Sequence, residues 1–96
     1  MFLRLDSKGS ILYNNVMRID KFLKVSRILK RRTLAQDACD MGKVFVNGRP
    51  SKPGHKLKVG DEVRVEFVSW VLNFRVLALN EKASKEEAST LYEIIE

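Results

Sequence analysis

From Arg18 the apolar residues follow one helical face. Ile19, Phe22 and Leu23 stand at i, i+3 and i+4, and Val25, Ser26 and Leu29 extend the stripe. Arg18, Lys21, Lys24 and Arg27 recur every third residue on the other faces and make a basic ridge along the same short helix. Lys30-Arg31-Arg32 follows as a turn. A second helix is predicted over roughly 32–41. Thr33-Leu34-Ala35-Gln36 has the form of a capping box, Leu34, Ala35, Ala38 and Met41 make its apolar face, and Gly42 suits the left-handed residue that ends a helix.

Beyond Gly42 the period changes to two. Val44 and Val46 alternate with Phe45, and Asn47-Gly48 is a strong hairpin signal. Arg49 and Ser51 return the chain, and Pro50 confines that return to a sheet edge because it lacks an N–H. Lys52-Pro53-Gly54 reads as a loop and Gly60-Asp61 as a turn. Glu62 to Phe67 is predicted as a strand with Val63, Val65 and Phe67 inward. Val68-Ser69-Trp70 reads as the next turn and Val71 to Leu79 as the next strand, with apolar residues on both faces. Ser84-Lys85-Glu86-Glu87 is a second capping box. Ala88, Leu91, Tyr92 and Ile95 then predict a short amphipathic C-terminal helix docked on the sheet. Residues 1–16 show no period and read as a poorly ordered extension whose removal leaves the fold intact, with Met17 as the natural start. The domain is thus expected over 17–96, with a core at 18–67 and a C-terminal hairpin and helix at 68–96. It is α+β: two helices, three to five mostly antiparallel strands and a last helix.

Ninety-six residues hold one core, not two. The net charge is +6, and its distribution says more than its size. Residues 17–58 carry 12 Lys and Arg against Asp20, Asp37 and Asp40, whereas residues 59–96 carry four cations against eight acids. A basic middle and an acidic end read as a footprint for a polyanion rather than as charge for solubility. The stretch 67–79 is too short and too interrupted to span a bilayer, and the N-terminus lacks the form of a signal peptide, so the cytosol is the expected compartment and no membrane is involved. One cysteine and one histidine exclude a disulfide framework, a Cys-rich zinc site and a His cluster.

The candidate chemistry is anion binding. Arg18, Lys21, Lys24, Arg27, Lys30, Arg31 and Arg32 place seven cations in fifteen residues against the single acid Asp20. Lys offers point charge and Arg a planar fork suited to phosphate. The start of the second helix adds unpaired N–H groups beside Arg31 and Arg32. Lys43, Asn47, Arg49, Lys52 and Lys56 are candidates for a second wall, although Asn47 is also demanded by its turn. Arg18 and Arg32 are expected on the ligand side, where Ala spares the fold. Asp20 reads as an ion-pair residue, Cys39 as a buried thiol, His55 as exposed, and Trp70 as hairpin packing or a protein contact, with base stacking the alternative. The sequence holds no phosphate-loop motif, metal-ligand cluster or nucleophile–base set, so neither an enzyme nor a cofactor is expected.

Four blocks, Arg18-Ile19-Asp20-Lys21-Phe22-Leu23, Arg31-Arg32-Thr33-Leu34-Ala35, Gly42-Lys43-Val44-Phe45-Val46-Asn47-Gly48 and Gly60-Asp61-Glu62-Val63, resemble in order and spacing the S-four (S4) RNA-binding domain. The resemblance implies the αL fold of ribosomal small-subunit protein four, with two helices on a small sheet and the hairpin beside the basic helix. Over residues 17–96 the chain is similar to the RqcP-type (YabO-type) family of bacterial ribosome-associated quality control, and more distantly to small heat-shock S-four proteins, whose longer basic tail it lacks. That likeness implies a monomeric, non-enzymatic factor. It would bind large-subunit rRNA and peptidyl-tRNA on a stalled subunit beside an RqcH-type tailing factor, and support alanine tailing. A targeting subunit of an RNA-modifying enzyme and a constitutive ribosomal protein are the alternatives.

Overall fold

The computed structural model describes residues 4–5, 11–12 and 16–95. In chain order it contains β1 (Arg4–Leu5), β2 (Ile11–Leu12), β3 (Val16–Arg18), α1 (Ile19–Val25), α2 (Arg32–Asp40), β4 (Val44–Val46), β5 (Arg49–Pro50), β6 (Lys56–Lys58), β7 (Glu62–Glu66), β8 (Val71–Val76), a 3₁₀ turn (Ala88–Leu91) and β9 (Tyr92–Ile94). The main sheet has the order β5-β4-β7-β8-β9, antiparallel throughout. Its inner face buries Val44, Val46, Val63, Val65, Phe74 and Val76, and Ile19, Phe22 and Leu23 of α1 belong to the same core. Phe22 and Phe74 stack at 5.9 Å, and Tyr92 meets Phe74 edge-on at 5.4 Å.

The local signals of the first half act largely as read. Asn47 and Gly48 take φ of 51° and 83°, as a two-residue type I′ turn requires. Pro50 sits on the edge strand. Gly42, at φ 72°, ends α2 in a Schellman motif, its N–H donating to the Cys39 carbonyl and that of Lys43 to the Ala38 carbonyl.

Other expectations are corrected. The first helix closes at Val25 because Arg27 turns left-handed at φ 62°, so Arg18 and Arg27 flank α1 rather than ride on it. Thr33 makes no cap. Arg31 occupies that position without a side-chain bond, and Gln36 reaches Asp20 instead. On α2 it is Ala35 and Cys39 that are buried, whereas Leu34 and Met41 are 46% and 69% exposed and line a shallow groove of about 650 Å³ with Leu29, Phe67 and Val68. The last helix is shorter than expected. Ser84 and Glu87 do form the reciprocal capping box, at 3.1 and 3.3 Å, but only a 3₁₀ turn follows before β9 pairs with β8. The i, i+3 spacing of Ala88 and Leu91 buries equally well in a 3₁₀ turn. Beyond it, Glu93 meets Arg75 across the strands and the β8 edge is covered.

The β3–β6 ladder was not foreseen. It pairs Met17 with Leu57, both buried, and Arg18 with Lys56. β3 thus opens one residue before the expected start at Met17. The rest of the expected N-terminal extension lies outside the described residues, except that β1 and β2 pair antiparallel. No helix among the described residues is long and apolar enough to cross a membrane.

Candidate nucleic-acid interface

The basic surface is built around one buried acid. Asp20, in the first turn of α1, is 0% exposed. Arg18 donates to it from Nε and Nη2 at 3.3 and 3.1 Å, Arg32 Nε lies 3.2 Å from Oδ2, Gln36 Nε2 donates at 3.0 Å, and the Lys21 N–H donates at 2.7 Å. Burial raises the Asp20 carboxyl pKa, but the bonds from Gln36, Arg32, the Lys21 N–H and Arg18 outweigh it and hold the group below its ordinary 3.8. Asp20 is therefore an ion-pair residue, as its sequence position suggested.

The sign of the consequence is fixed. A carboxyl depressed on folding contributes stability above its unfolded value and loses it as pH falls through the folded value. Acid unfolding of the parent is expected to steepen below about pH 4, and Asp20→Asn to flatten that limb in thermal melts across pH. An unchanged acid limb would contradict the clasp.

Arg18 and Arg32 remain 48% and 42% exposed at their side chains, so they are surface residues with one anchored edge. Each arginine helps satisfy a buried carboxylate, so Ala at either position, expected from the sequence to spare the fold, is now expected to cost some stability as well. The 52–55 loop closes against them. The Ile19 N–H donates to the His55 carbonyl and the Asp20 N–H to that of Pro53, and a Cβ at Gly54 would stand 3.8 Å from the Arg18 guanidinium. Lys56 stands directly across the ladder from Arg18, and Lys52 is exposed at the start of the same loop. Lys56, Arg49 and Lys58 line the next groove, of about 600 Å³. On the other flank Lys24, Arg27 and Lys30 line a depression of about 220 Å³, and Lys21 is bonded to Glu81 at 2.6 Å.

Not every candidate joins this surface. Lys43 lies with Leu34, Met41 and Val68 beside the apolar groove. Asn47 donates to Asp61 and accepts from the Glu62 N–H, so its amide serves the turn. Lys58 was missed; the only signal was a three-residue alternation around Leu57. On the outer face of the sheet Arg64 lies 4.4 Å over Phe45, and Arg75 bridges Glu62 and Glu93, so both arginines of the acidic half are engaged locally. Trp70 stacks on Phe67 at 4.4 Å, which is hairpin packing. His55 is exposed.

Cys39 is buried, and desolvation, with Asp20 and Asp40 nearby, pushes its thiol up to about 11. Near neutral pH this reduces the thiolate roughly a hundredfold against an ordinary cysteine. A disulfide reagent should label the native protein slowly and the urea-unfolded protein at once; equal rates would show that the thiol is open. No three His, Cys, Asp or Glu among the described residues gather to hold a metal ion.

The S4 domain family matches residues 17–63. The chain is 49% identical over 78 residues to the RQC P-site tRNA stabilizing factor of Halalkalibacterium halodurans, covering 81% of this chain and 89% of that protein. It is 44% identical over 79 residues to the protein of that name from Bacillus subtilis, covering 82% and 92%. Among solved structures, the trimeric heat shock protein 15 of Vibrio cholerae superposes with a TM-score of 0.77 at 26% identity, over 83% of this chain and 82% of that one.

Proposed function

Because the chain belongs to the S4-domain family of RQC P-site tRNA stabilizing factors, we propose that it binds large-subunit rRNA and peptidyl-tRNA on a stalled large ribosomal subunit and holds that tRNA while an RqcH-type factor extends the chain with alanine. Membership carries an RNA-binding role in ribosome quality control. The reading adds the surface, a monomeric state, a cytoplasmic setting and the absence of catalysis.

One observation supports it most. Cations from Arg32 through Arg18 to Lys56 and Arg49 gather around the start of α1 and β6, while on the far face of the sheet Arg64 and Arg75 are paired with Glu62, Glu66 and Glu93. A molecule so polarised docks on a polyanion in one orientation. Its ligands are the phosphates of structured RNA, whose deep major groove hides the bases, so shape and backbone are what it reads. Arg18, Lys21, Lys24, Arg27, Lys30, Arg31, Arg32, Arg49 and Lys52 are the contact residues, with Lys56 and Lys58 added. Asn47 lines the groove of Arg49, Lys56 and Lys58 while its amide serves the turn, and Lys43 lies beside the apolar groove.

Tagged protein recovered from cells is expected to bring down large subunits, tRNA and the tailing factor. Recovery of small subunits or of an RNA-modifying enzyme would contradict the proposal. Purified protein is expected to show no turnover on RNA, nucleotides or aminoacyl-tRNA. An activity that survives purification and is lost with one point substitution would contradict the non-enzymatic part.

A further inference from the structure

We infer that Asp20 is the positioning residue of this interface, holding Arg18 and Arg32 together as one two-pronged clamp for a single RNA phosphate. The inference rests on the RNA-binding reading above. Both arginines reach the same oxygen, Oδ2, at 3.1 and 3.2 Å, so the anchored edges of the two guanidinium groups are within the sum of those distances. Two cations that close repel each other unless an anion stands between them. The anion is itself immobile: Gln36 and the Lys21 N–H hold its carboxylate, and its backbone N–H donates to Pro53.

The arrangement fixes what remains to be bound. Arg32 reaches Asp20 through Nε, and Arg18 through Nε and Nη2, so the outer Nη1–Nη2 edge of each guanidinium is not taken up by the carboxylate. Both side chains are nearly half exposed, while the carboxylate between them is not exposed at all. Two arginines and one aspartate carry a net +1, which one phosphodiester neutralises. The guanidinium forks are ordered before the ligand arrives, so less side-chain freedom is lost on binding.

This account and simple charge counting predict opposite results for one substitution. Asp20→Asn raises the net charge by one, and bulk electrostatics alone would tighten RNA binding. If Asp20 positions the clamp, Asp20→Asn instead weakens binding to isolated large ribosomal subunits about five- to tenfold and flattens the dependence of log affinity on log salt by about one. Glu81→Gln makes the same change in net charge at the exposed acid that holds Lys21, and is expected to bind as tightly as the parent or more tightly. In an Arg32→Ala background Asp20→Asn should add little, because the clamp is already open.

The fold of each variant is checked by circular dichroism and thermal melting. Should Asp20→Asn fail to fold, Gln36→Ala, which leaves the carboxylate in place but less firmly held, decides instead; it is expected to bind about two- to threefold more weakly. A folded Asp20→Asn that binds as well as the parent overturns the inference, as does an unfolded Asp20→Asn together with a Gln36→Ala that binds normally. A parent that does not bind large subunits would instead overturn the functional reading beneath it.

Discussion

Replacing Arg32 with Ala is expected to lower affinity for isolated large ribosomal subunits by about tenfold or more, and Arg18→Ala by a similar factor, since a charge-assisted bond to phosphate is worth on the order of 1.5–3 kcal/mol. Each change should also flatten the salt dependence by about one unit. The structure adds a second effect. Each arginine helps to satisfy the buried Asp20 carboxylate, so each Ala variant also melts lower than the parent, although three other donor groups still hold that acid. Arg→Lys at either position should recover only part of the binding. One ammonium lacks the planar fork that engages a carboxylate on one edge and a phosphate on the other. Arg75→Ala is the control, because Arg75 lies among Glu62 and Glu93 on the far face of the sheet. Ridge variants that bind like the parent at every salt concentration, beside an Arg75→Ala that does not, would move the interface to the other face.

Phe74→Ala is expected to cause the largest loss of stability. Its ring is fully buried between Phe22 and Tyr92, where it joins α1, β8 and β9. Removing such a ring costs about 3–5 kcal/mol in transfer and cavity terms, out of a total of about 5–15 for a small domain. In a chain this short that is a fall in Tm of at least about 12 °C, and partial unfolding at 37 °C for a domain at the lower end of the range. Denaturant melts followed by circular dichroism measure it. A loss below about 1 kcal/mol would mean that the sheet and α1 do not depend on this contact.

Much of the domain is written in short-range rules. The helical stripe at Ile19, Phe22 and Leu23, the Asn47-Gly48 turn, the Gly42 terminator and the alternation through Val63 and Val65 each state their structure locally, and each took that structure. What escaped was decided by distant partners. Leu57 has one polar neighbour on each side, and only Met17, forty residues earlier in the chain, makes that triplet a strand. Ala88, Leu91, Tyr92 and Ile95 satisfy helical spacing, but the open edge of β8 and the Arg75–Glu93 pair draw the chain into a strand. Thr33 and Gln36 fit a capping box, yet Asp20, sixteen residues before Gln36, competes for that amide and takes it.

The candidate interface divides in the same way. The seven cations between Arg18 and Arg32 stay at least partly in water, including the two that share the buried Asp20. Charge density could not show that Lys43 faces an apolar groove, that Lys58 joins Lys56 and Arg49, or that two of the seven cations share one carboxylate. Those are facts of register and packing rather than of composition.

On the proposed reading this chain recognises the free large subunit through the phosphates around Arg18 and Arg32. Sedimentation of the purified protein through sucrose with isolated large subunits, small subunits and intact ribosomes, each at low and high salt, tests it most directly. The account predicts co-migration with free large subunits at low salt, release as salt rises, and loss of co-migration in the Arg18→Ala and Arg32→Ala variants. Equal migration with all three particles, or retention on large subunits that neither salt nor those substitutions disturb, would contradict it.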